Sequence, residues 1–94
     1  MIEKNIIKTT IDLPSLLGRL SYQSRTIVLK PWNECKLRDI HQSLERGMPS
    51  VDFDPIYLCY NKSKKEFMII DGHHRVSAFN SREIENINCT ISFE

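Results

Sequence analysis

The sequence lacks the features that mark several common functional classes. Its net charge is only +1, from 13 basic and 12 acidic side chains, so no strong field points to nucleic acid or an anionic membrane. Charges interrupt the apolar residues of the N-terminal stretch MIEKNIIKTTIDL, which predicts neither a signal peptide nor a membrane span. The chain has no repeat and no low-complexity tract. These absences predict a soluble cytoplasmic protein without a membrane partner.

Cysteine is scarce, and its three positions are far apart. An odd set of Cys35, Cys59 and Cys89 disfavours a disulfide framework and favours a reducing compartment. No close Cys-x-x-Cys pair supports zinc, so no metal site made only of protein ligands is predicted. Cys59 and Cys89 fall on predicted strands, where a small buried residue is the ordinary role.

The apolar spacing predicts one compact α+β unit, since 94 residues suffice for a single modest core. The strongest element is a helix after the cap Asn33, in which Leu37, Ile40 and Leu44 recur at helical spacing and Gly47 is the stop. Asp12 is expected to cap a shorter helix through LPSLLGRLSY.

The strands rest on shorter patterns. RTIVLK, residues 25–30, is typical of a strand because it is β-branched and ends at a proline. IYLCY and FMII are predicted to pair as a hairpin across NKSKKE, and INCTISF alternates like a half-buried closing strand. Residues 1–11, which include Ile2, Ile6, Ile7 and Ile11, are interpreted as either a strand or an arm.

The stretch FMIIDGHHRVSAF, residues 67–79, changes from strand-like to helix-like at a polar cluster. Gly72 would allow both a sharp turn and the close approach of a ligand. The first turn of the helix, predicted over residues 73–80, has free N–H groups and the positive end of the helix dipole. Such a corner favours an anion.

Side chains at the corner add donors. Arg75 has a permanent charge and a fork of N–H groups suited to phosphate oxygens. On a helical wheel His73, His74 and Ser77 share a polar sector that we expect to face a cleft or solvent. Asp71 can cap the helix, hold a metal bound to phosphate, or accept a proton. A purely structural corner with a solvated first turn also fits these residues, and spacing leaves both interpretations open.

The chain contains, in this order, TIVLKPW, LRDIHQSLERG, DPIYLCY, EFMIIDGHHRVSAF and ENINCTI. This order of strands, helices and a Gly-x-His-Arg type motif resembles the ParB/sulfiredoxin-like superfamily over roughly the last seventy residues. The resemblance implies a small single-domain ParB/sulfiredoxin-like fold, a mixed sheet with helices packed around it, over residues 23–94. Residues 1–22 would form an N-terminal extension of uncertain role.

The superfamily binds nucleotide phosphates at this corner. The resemblance therefore implies that Gly72, His73, His74 and Arg75, with Ser77 on the same helix, bind ATP, ADP or CTP together with Mg²⁺. The DGHHR spelling is similar to the branch of ParB-like nucleases and a free-serine kinase. It implies a nucleotide hydrolase, a phosphotransferase or a nuclease.

The catalytic candidates overlap with these binding residues but also include two carboxylates. The catalytic candidates are Asp71, His73, His74 and Glu34. Glu34 is included because kinase relatives need a carboxylate in or near the first turn of the main helix, although it could merely complement the helix dipole. Sulfiredoxins have a catalytic cysteine at the position of His73, so thiol-phosphate repair is not expected. The chain ends at Glu94, so a complete CTP-gated DNA clamp with its helix-turn-helix is not expected either.

The alternative function is a non-catalytic regulatory or DNA-associated module, of the kind that mobile elements carry. Lys62, Lys64 and Lys65 crowd one turn and could touch a nucleic-acid backbone, but without interleaved aromatics a solvated hairpin tip is the stronger interpretation.

Three other polar residues have an ordinary structural interpretation beside a functional one. Asp52 and Asp54 could hold Mg²⁺ or simply form a turn. His41 is interpreted as a satisfied histidine at the edge of the core rather than as a ligand, although the resemblance implies that its helix lies near the nucleotide cleft.

Overall fold

The computed structural model describes residues 6–93. Its elements in chain order are β1 (Ile6–Asp12), α1 (Leu13–Gly18), α2 (Tyr22–Leu29), α3 (Glu34–Glu45), a 3-10 turn (Ser50–Asp52), β2 (Ile56–Asn61), β3 (Glu66–Asp71), α4 (His73–Ser81) and β4 (Asn86–Phe93). Within this range, no helix is both long and apolar enough to cross a membrane.

The four strands form one mixed sheet in the order β1-β4-β2-β3. β4 runs antiparallel to β1 and parallel to β2, and β2 pairs antiparallel with β3. The predicted hairpin between β2 and β3 is therefore confirmed. So is the α+β class with a mixed sheet, since four helices accompany the strands.

The core lies between one face of the sheet and the helices. β4 buries Ile87, Cys89 and Ile91 in alternation, as the INCTISF pattern predicted. β2, β3, the helices and the segment between α1 and α2 contribute the remaining large buried side chains, Leu13, Leu16, Leu20, Val28, Ile40, Ile56, Leu58, Phe67, Ile69, Val76 and Phe79.

Two predicted helix caps are confirmed. Asp12 Oδ2 accepts hydrogen bonds from the Ser15 N–H at 3.0 Å and the Ser15 hydroxyl at 2.7 Å, and these bonds lower the pKa of the Asp12 carboxyl. Asn33 Oδ1 accepts from the Lys36 N–H at 3.0 Å. Gly47, with φ +93°, follows the end of α3 in the left-handed conformation that stops helices.

The strand predicted for residues 25–30 is wrong, because residues 25–29 form the second half of α2 and Lys30 is its C-cap. One face of the segment is buried, with Val28 2% exposed and its neighbour Leu29 67% exposed. Ser24, one turn before Val28, accepts a hydrogen bond from the Ile69 N–H at 2.9 Å through its hydroxyl. This tertiary bond holds a helix against β3 where local β-propensity favoured a strand.

The strand alternative for the N-terminus is confirmed over β1, which pairs with β4 from Ile6 to Asp12. Ile2 lies outside the described residues. The following helix α1 buries Leu13 and Leu16. Residues 6–18 thus contribute a strand and core side chains to the same sheet and core as the rest of the chain.

Candidate functional site

The corner between β3 and α4 is formed around one glycine. Gly72 has φ +111°, a conformation that L side chains rarely adopt. A Cβ at this position would lie only 2.7 Å from Ile56 Cγ2, because the corner packs directly against the first residue of β2. Both the turn and the close packing therefore require glycine, and α4 begins at His73 as predicted.

The N-terminus of α4 differs from those of the other helices. Asp12, Ser21 and Asn33 cap α1, α2 and α3 through side-chain oxygens. Among the four α-helices of residues 6–93, α4 alone begins without a side-chain cap, since Gly72 offers none. Its first-turn N–H groups therefore remain available to an anion at the positive end of the dipole.

Asp71 does not cap the helix but turns outward beside it. Its side chain is 68% exposed, and Oδ2 lies 3.2 Å from Arg75 Nη2. The Arg75 side chain is only 16% exposed, and Nη2 also donates to the Pro55 carbonyl at 3.4 Å. Arg75 Nε is buried and has no hydrogen-bond partner within residues 6–93. Arg75 therefore links Asp71 to Pro55 at the corner, and its Nε–H remains a donor without an acceptor within residues 6–93.

His74 is buried, so the expectation that it faces a cleft or solvent is wrong. It is 3% exposed, and its Nε2 accepts a hydrogen bond from the Asn33 N–H at 3.2 Å. Burial, helped by the charge of Lys36, lowers the pKa of His74. The neutral ring of His74 thus joins the N-terminus of α3 to that of α4. Because this ring is already used, His74 can bind an anion through its main-chain N–H.

His73 is half-buried at the corner and keeps access to solvent. Burial and the neighbouring His74 lower the pKa of His73, while Asp71 acts in the opposite direction. A neutral imidazole has one donor and one acceptor. His73 can therefore donate a hydrogen bond to phosphate or accept a proton at neutral pH.

Trp32 is a site residue that the sequence did not reveal. Its ring centroid lies 4.7 Å from that of His74, edge to face, and 6.3 Å from that of His73. The indole is nevertheless 69% exposed. The available signal was a lone tryptophan just before the predicted cap Asn33, but nothing local indicated that this end of α3 would meet α4.

The other two predicted site residues lie near the corner without joining its contacts. Glu34 is the first residue of α3, next to Asn33, and is exposed. Within residues 6–93, no hydrogen bond or ion pair connects it to Asp71 or His73. Ser77 lies one turn beyond His73 on α4 and is half-buried. The roles of Glu34 and Ser77 stay predictions.

Mg²⁺ fits this site only as a companion of phosphate. Over the described part of the chain, no three His, Cys, Asp or Glu side chains cluster as metal ligands. Mg²⁺ commonly uses one or two carboxylates together with the phosphates of its nucleotide. The exposed Asp71 carboxylate meets that requirement.

His41 lies away from the corner and has a structural role. Its Nδ1 accepts a hydrogen bond from Arg82 Nε at 2.9 Å, and Arg82 also pairs with Glu45 at 3.1 Å. These contacts fasten the C-terminal end of α4 to α3. The interpretation of His41 as a satisfied core-edge histidine is confirmed.

A groove of about 490 Å³ lies elsewhere, at the N-terminus of α2 and the outer part of the hairpin. Its lining includes Tyr22, which is 83% exposed, and Lys64 of the hairpin turn. It includes none of the corner residues.

Solved structures supply the match that sequence comparison does not. No family model matches the sequence, and no curated protein matches it. The C2221 crystal form of a pNOB8-like ParB N-domain superposes on 100% of this chain with a TM-score of 0.64 at 17% identity. The chain has a ParB-like fold. A second pNOB8-like ParB N-domain structure gives a TM-score of 0.58, also at 17% identity.

The present chain spans about a third of the length of those matched chains, 32% and 30% respectively. All of the present chain is covered in both superpositions, including β1 and α1. At 17% identity the likeness concerns the fold. The chemistry of the corner therefore rests on its own geometry.

Proposed function

We propose that this ParB-like fold is a nucleotide-binding domain that holds the phosphates of ATP, ADP or CTP at the Gly72–Arg75 corner. The uncapped N-terminus of α4 is the observation that carries the proposal. Helix N-termini without a cap satisfy their N–H groups with water or an anion, and the dipole favours the anion. Phosphate is the biological anion for which this arrangement recurs.

Each side chain has a distinct part in the proposed complex. The Gly72 corner lets phosphate oxygens approach the first-turn N–H groups, and Arg75 supplies the positive charge. His73 donates a hydrogen bond from its neutral ring. Asp71 would hold Mg²⁺, which neutralises phosphate charge when bound. Trp32, exposed beside both histidines, offers a stacking surface to the base.

Turnover is a further step of the same proposal. A nucleotide hydrolase, phosphotransferase or nuclease needs a carboxylate or imidazole within reach of the attacking group. Asp71 is better placed than Glu34, because it borders Gly72 directly and its carboxylate is 68% exposed. His73 is the alternative base.

The lone tryptophan provides the test. Adding nucleotide with Mg²⁺ should change the fluorescence of Trp32, and Arg75→Ala should weaken binding. Losing a charge-assisted hydrogen bond costs about 1.5–3 kcal/mol, or roughly ten- to a hundred-fold in affinity. Arg82→Ala is the matched control, since it removes the same side chain from the other end of α4 and should leave affinity unchanged.

Two outcomes would count against the proposal. If millimolar nucleotide left the Trp32 emission and the unfolding temperature unchanged, the domain would not bind nucleotide. If Arg75→Ala and Arg82→Ala weakened binding equally, the ligand would lie elsewhere or the loss would reflect general destabilisation.

A DNA-associated module is the second candidate function. Lys62, Lys64 and Lys65 are all exposed in the β2–β3 turn, and Tyr22 projects from the adjoining groove. An aromatic ring beside lysines is the combination that stacks bases while contacting the backbone. The sequence alone offered the lysines without the aromatic.

A further inference from the structure

The two edges of the sheet differ in whether another segment of the chain pairs with them. At the β3 edge, the segment before α2 runs alongside the strand, with the Ser21 N–H donating to the Phe67 carbonyl and the Phe67 N–H to the Arg19 carbonyl, both at 2.8 Å. Leu20 thereby forms a parallel bridge with Phe67. β1 is the last strand on the other side, and within residues 6–93 nothing pairs with its outer edge.

The direction of the β1 backbone groups follows from one hydrogen bond. The Leu13 N–H donates to the Glu85 carbonyl at 2.7 Å, on the β4 side, in continuation of the β1–β4 register. N–H groups of an antiparallel strand alternate between its two sides. The outward-facing N–H groups are therefore those of the even-numbered residues Ile6, Lys8, Thr10 and Asp12.

β1 has few of the features that protect exposed edges. It pairs with β4 in unbroken register from Ile6 to Asp12, without a bulge or a proline. Lys8 is the one charge before the terminal Asp12. Long, regular edges rich in β-branched residues are templates for pairing with another strand. The outer edge of β1 is therefore suited to pair with a further strand.

The apolar side chains on the core face of the sheet become exposed at the β1 edge. Ile7 lies opposite Ile91 of β4, and Ile91 is 8% exposed whereas Ile7 is 48% exposed. Ile11 faces the same side, opposite Ile87. A partner strand with an apolar residue facing Ile7 would continue the core across the edge.

We infer that β1 pairs antiparallel with β1 of a second copy of this chain, making one continuous sheet across a two-fold axis. The register has Thr9 opposite Thr9 of the second copy. All seven residues of β1 are then paired, and Ile7 faces Ile11 of the other copy, so the strand is its own complement. This inference is independent of the nucleotide site.

Neighbouring registers are less favourable. Directly opposite residues must point to the same face of the sheet, so the pairing of the two strands can change only in steps of two residues. Such a step moves the two-fold axis by one residue, to Lys8 or to Thr10. An axis at Lys8 puts two lysines opposite each other, which is destabilising. An axis at Thr10 pairs only residues 8–12 and leaves Ile7 beside the start of the other copy's α1.

Sedimentation of the full chain over roughly 10 µM to 1 mM tests the inference, since edge pairing alone makes a small interface with micromolar or weaker affinity. The wild type should form dimers with increasing concentration. Thr10→Pro removes an outward N–H without breaking a bond to β4 and should shift the dimerisation constant at least about tenfold toward monomer. Thr10→Val keeps the N–H and the branched side chain and should dimerise like the wild type.

Amide hydrogen exchange of the wild type keeps the test independent of how well Thr10→Pro folds. The Lys8 and Thr10 amides should gain protection as concentration rises, while those of Ile7 and Thr9, already bonded to β4, should change little. A wild type that stays monomeric throughout, a dimer that Thr10→Pro leaves intact, or a dimer without added protection at Lys8 and Thr10 would overturn the inference.

Discussion

Gly72 shows how much a single position can decide. Gly72→Ala should lower the free energy of unfolding by roughly 2–4 kcal/mol, because it adds both a left-handed backbone penalty and a clash with Ile56. Urea unfolding measures the loss. Gly18→Ala is the control, since a Cβ there meets no atom within 4 Å; its stability should stay level or rise slightly. Equal losses in both variants would contradict the packing described for the corner.

His74 makes stability depend on pH. Burial lowers its pKa in the folded protein, so as pH falls below about 6.5 the unfolded chain takes up the proton first. The free energy of unfolding should therefore be full above that pH and decline below it. His73 acts in the same direction, because its pKa is also lowered.

Substitution separates the two histidines. His74→Gln keeps a side-chain acceptor for the Asn33 N–H but does not titrate, so its stability should decline less than that of the wild type between about pH 7 and pH 5. Urea unfolding across this range gives the comparison. The Asp12 contribution is lost only near and below about pH 4, outside the window. Identical pH profiles would mean that His74 is not buried in neutral form.

The sequence predicts some residues of the site and not others for a physical reason. Gly72 and the start of α4 are recognisable because a strand, a glycine and a helix pattern are contiguous. The burial of His74 and the position of Trp32 depend on the N-terminus of α3 meeting that of α4, a contact between residues 41 positions apart. No local pattern encodes such a contact.

At the scale of elements, α2 is where local propensity and tertiary structure disagree. Val28→Ala should lower the free energy of unfolding by roughly 2 kcal/mol, because the side chain is 2% exposed. Leu29→Ala, at a 67% exposed position, should change it by less than about 0.5 kcal/mol. Thermal or urea unfolding distinguishes them, and the opposite order would contradict the helix.

Short apolar runs explain the wrong strand prediction. RTIVLK has the β-branched residues of a strand, and a run of this length cannot be assigned by period alone. The α3 pattern is long enough to repeat its spacing, and its caps agree with it. Elements with mutually consistent signals were predictable, whereas α2 packs on the sheet through contacts distant in sequence, among them the buried Val28 and the bond from the Ile69 N–H to the Ser24 hydroxyl.

At the scale of the whole molecule, near-neutral charge limits how the chain could bind DNA. If the hairpin turn contacts duplex or single-stranded DNA, at most three lysines take part, so the logarithm of affinity should fall with that of salt with a slope of about −2 to −3. A salt-titrated gel shift measures the slope, and replacing Lys62, Lys64 and Lys65 by Gln should abolish binding. A steeper slope, or binding that survives the replacement, would assign DNA contact to another surface.

The overall architecture was more predictable than its details. The order of the α3, β2, β3, α4 and β4 segments resembled the superfamily, and each segment has its own local signal. The pairing of β1 with β4 joins residues about eighty positions apart, and the N-terminal pattern fitted a strand or an arm equally well. Distant pairings of this kind are decided by the assembled sheet rather than by the sequence of either strand.

Amide NMR spectra recorded during titration with ATP, ADP and CTP in the presence of Mg²⁺ test the central claim most directly. The account predicts that the N–H signals of Gly72 to Val76 shift and saturate with the nucleotide, together with the indole N–H of Trp32. Signals of the Tyr22 and Lys64 groove should stay in place. Saturating nucleotide that left the α4 N-terminus unshifted, or shifted only the groove, would contradict the account.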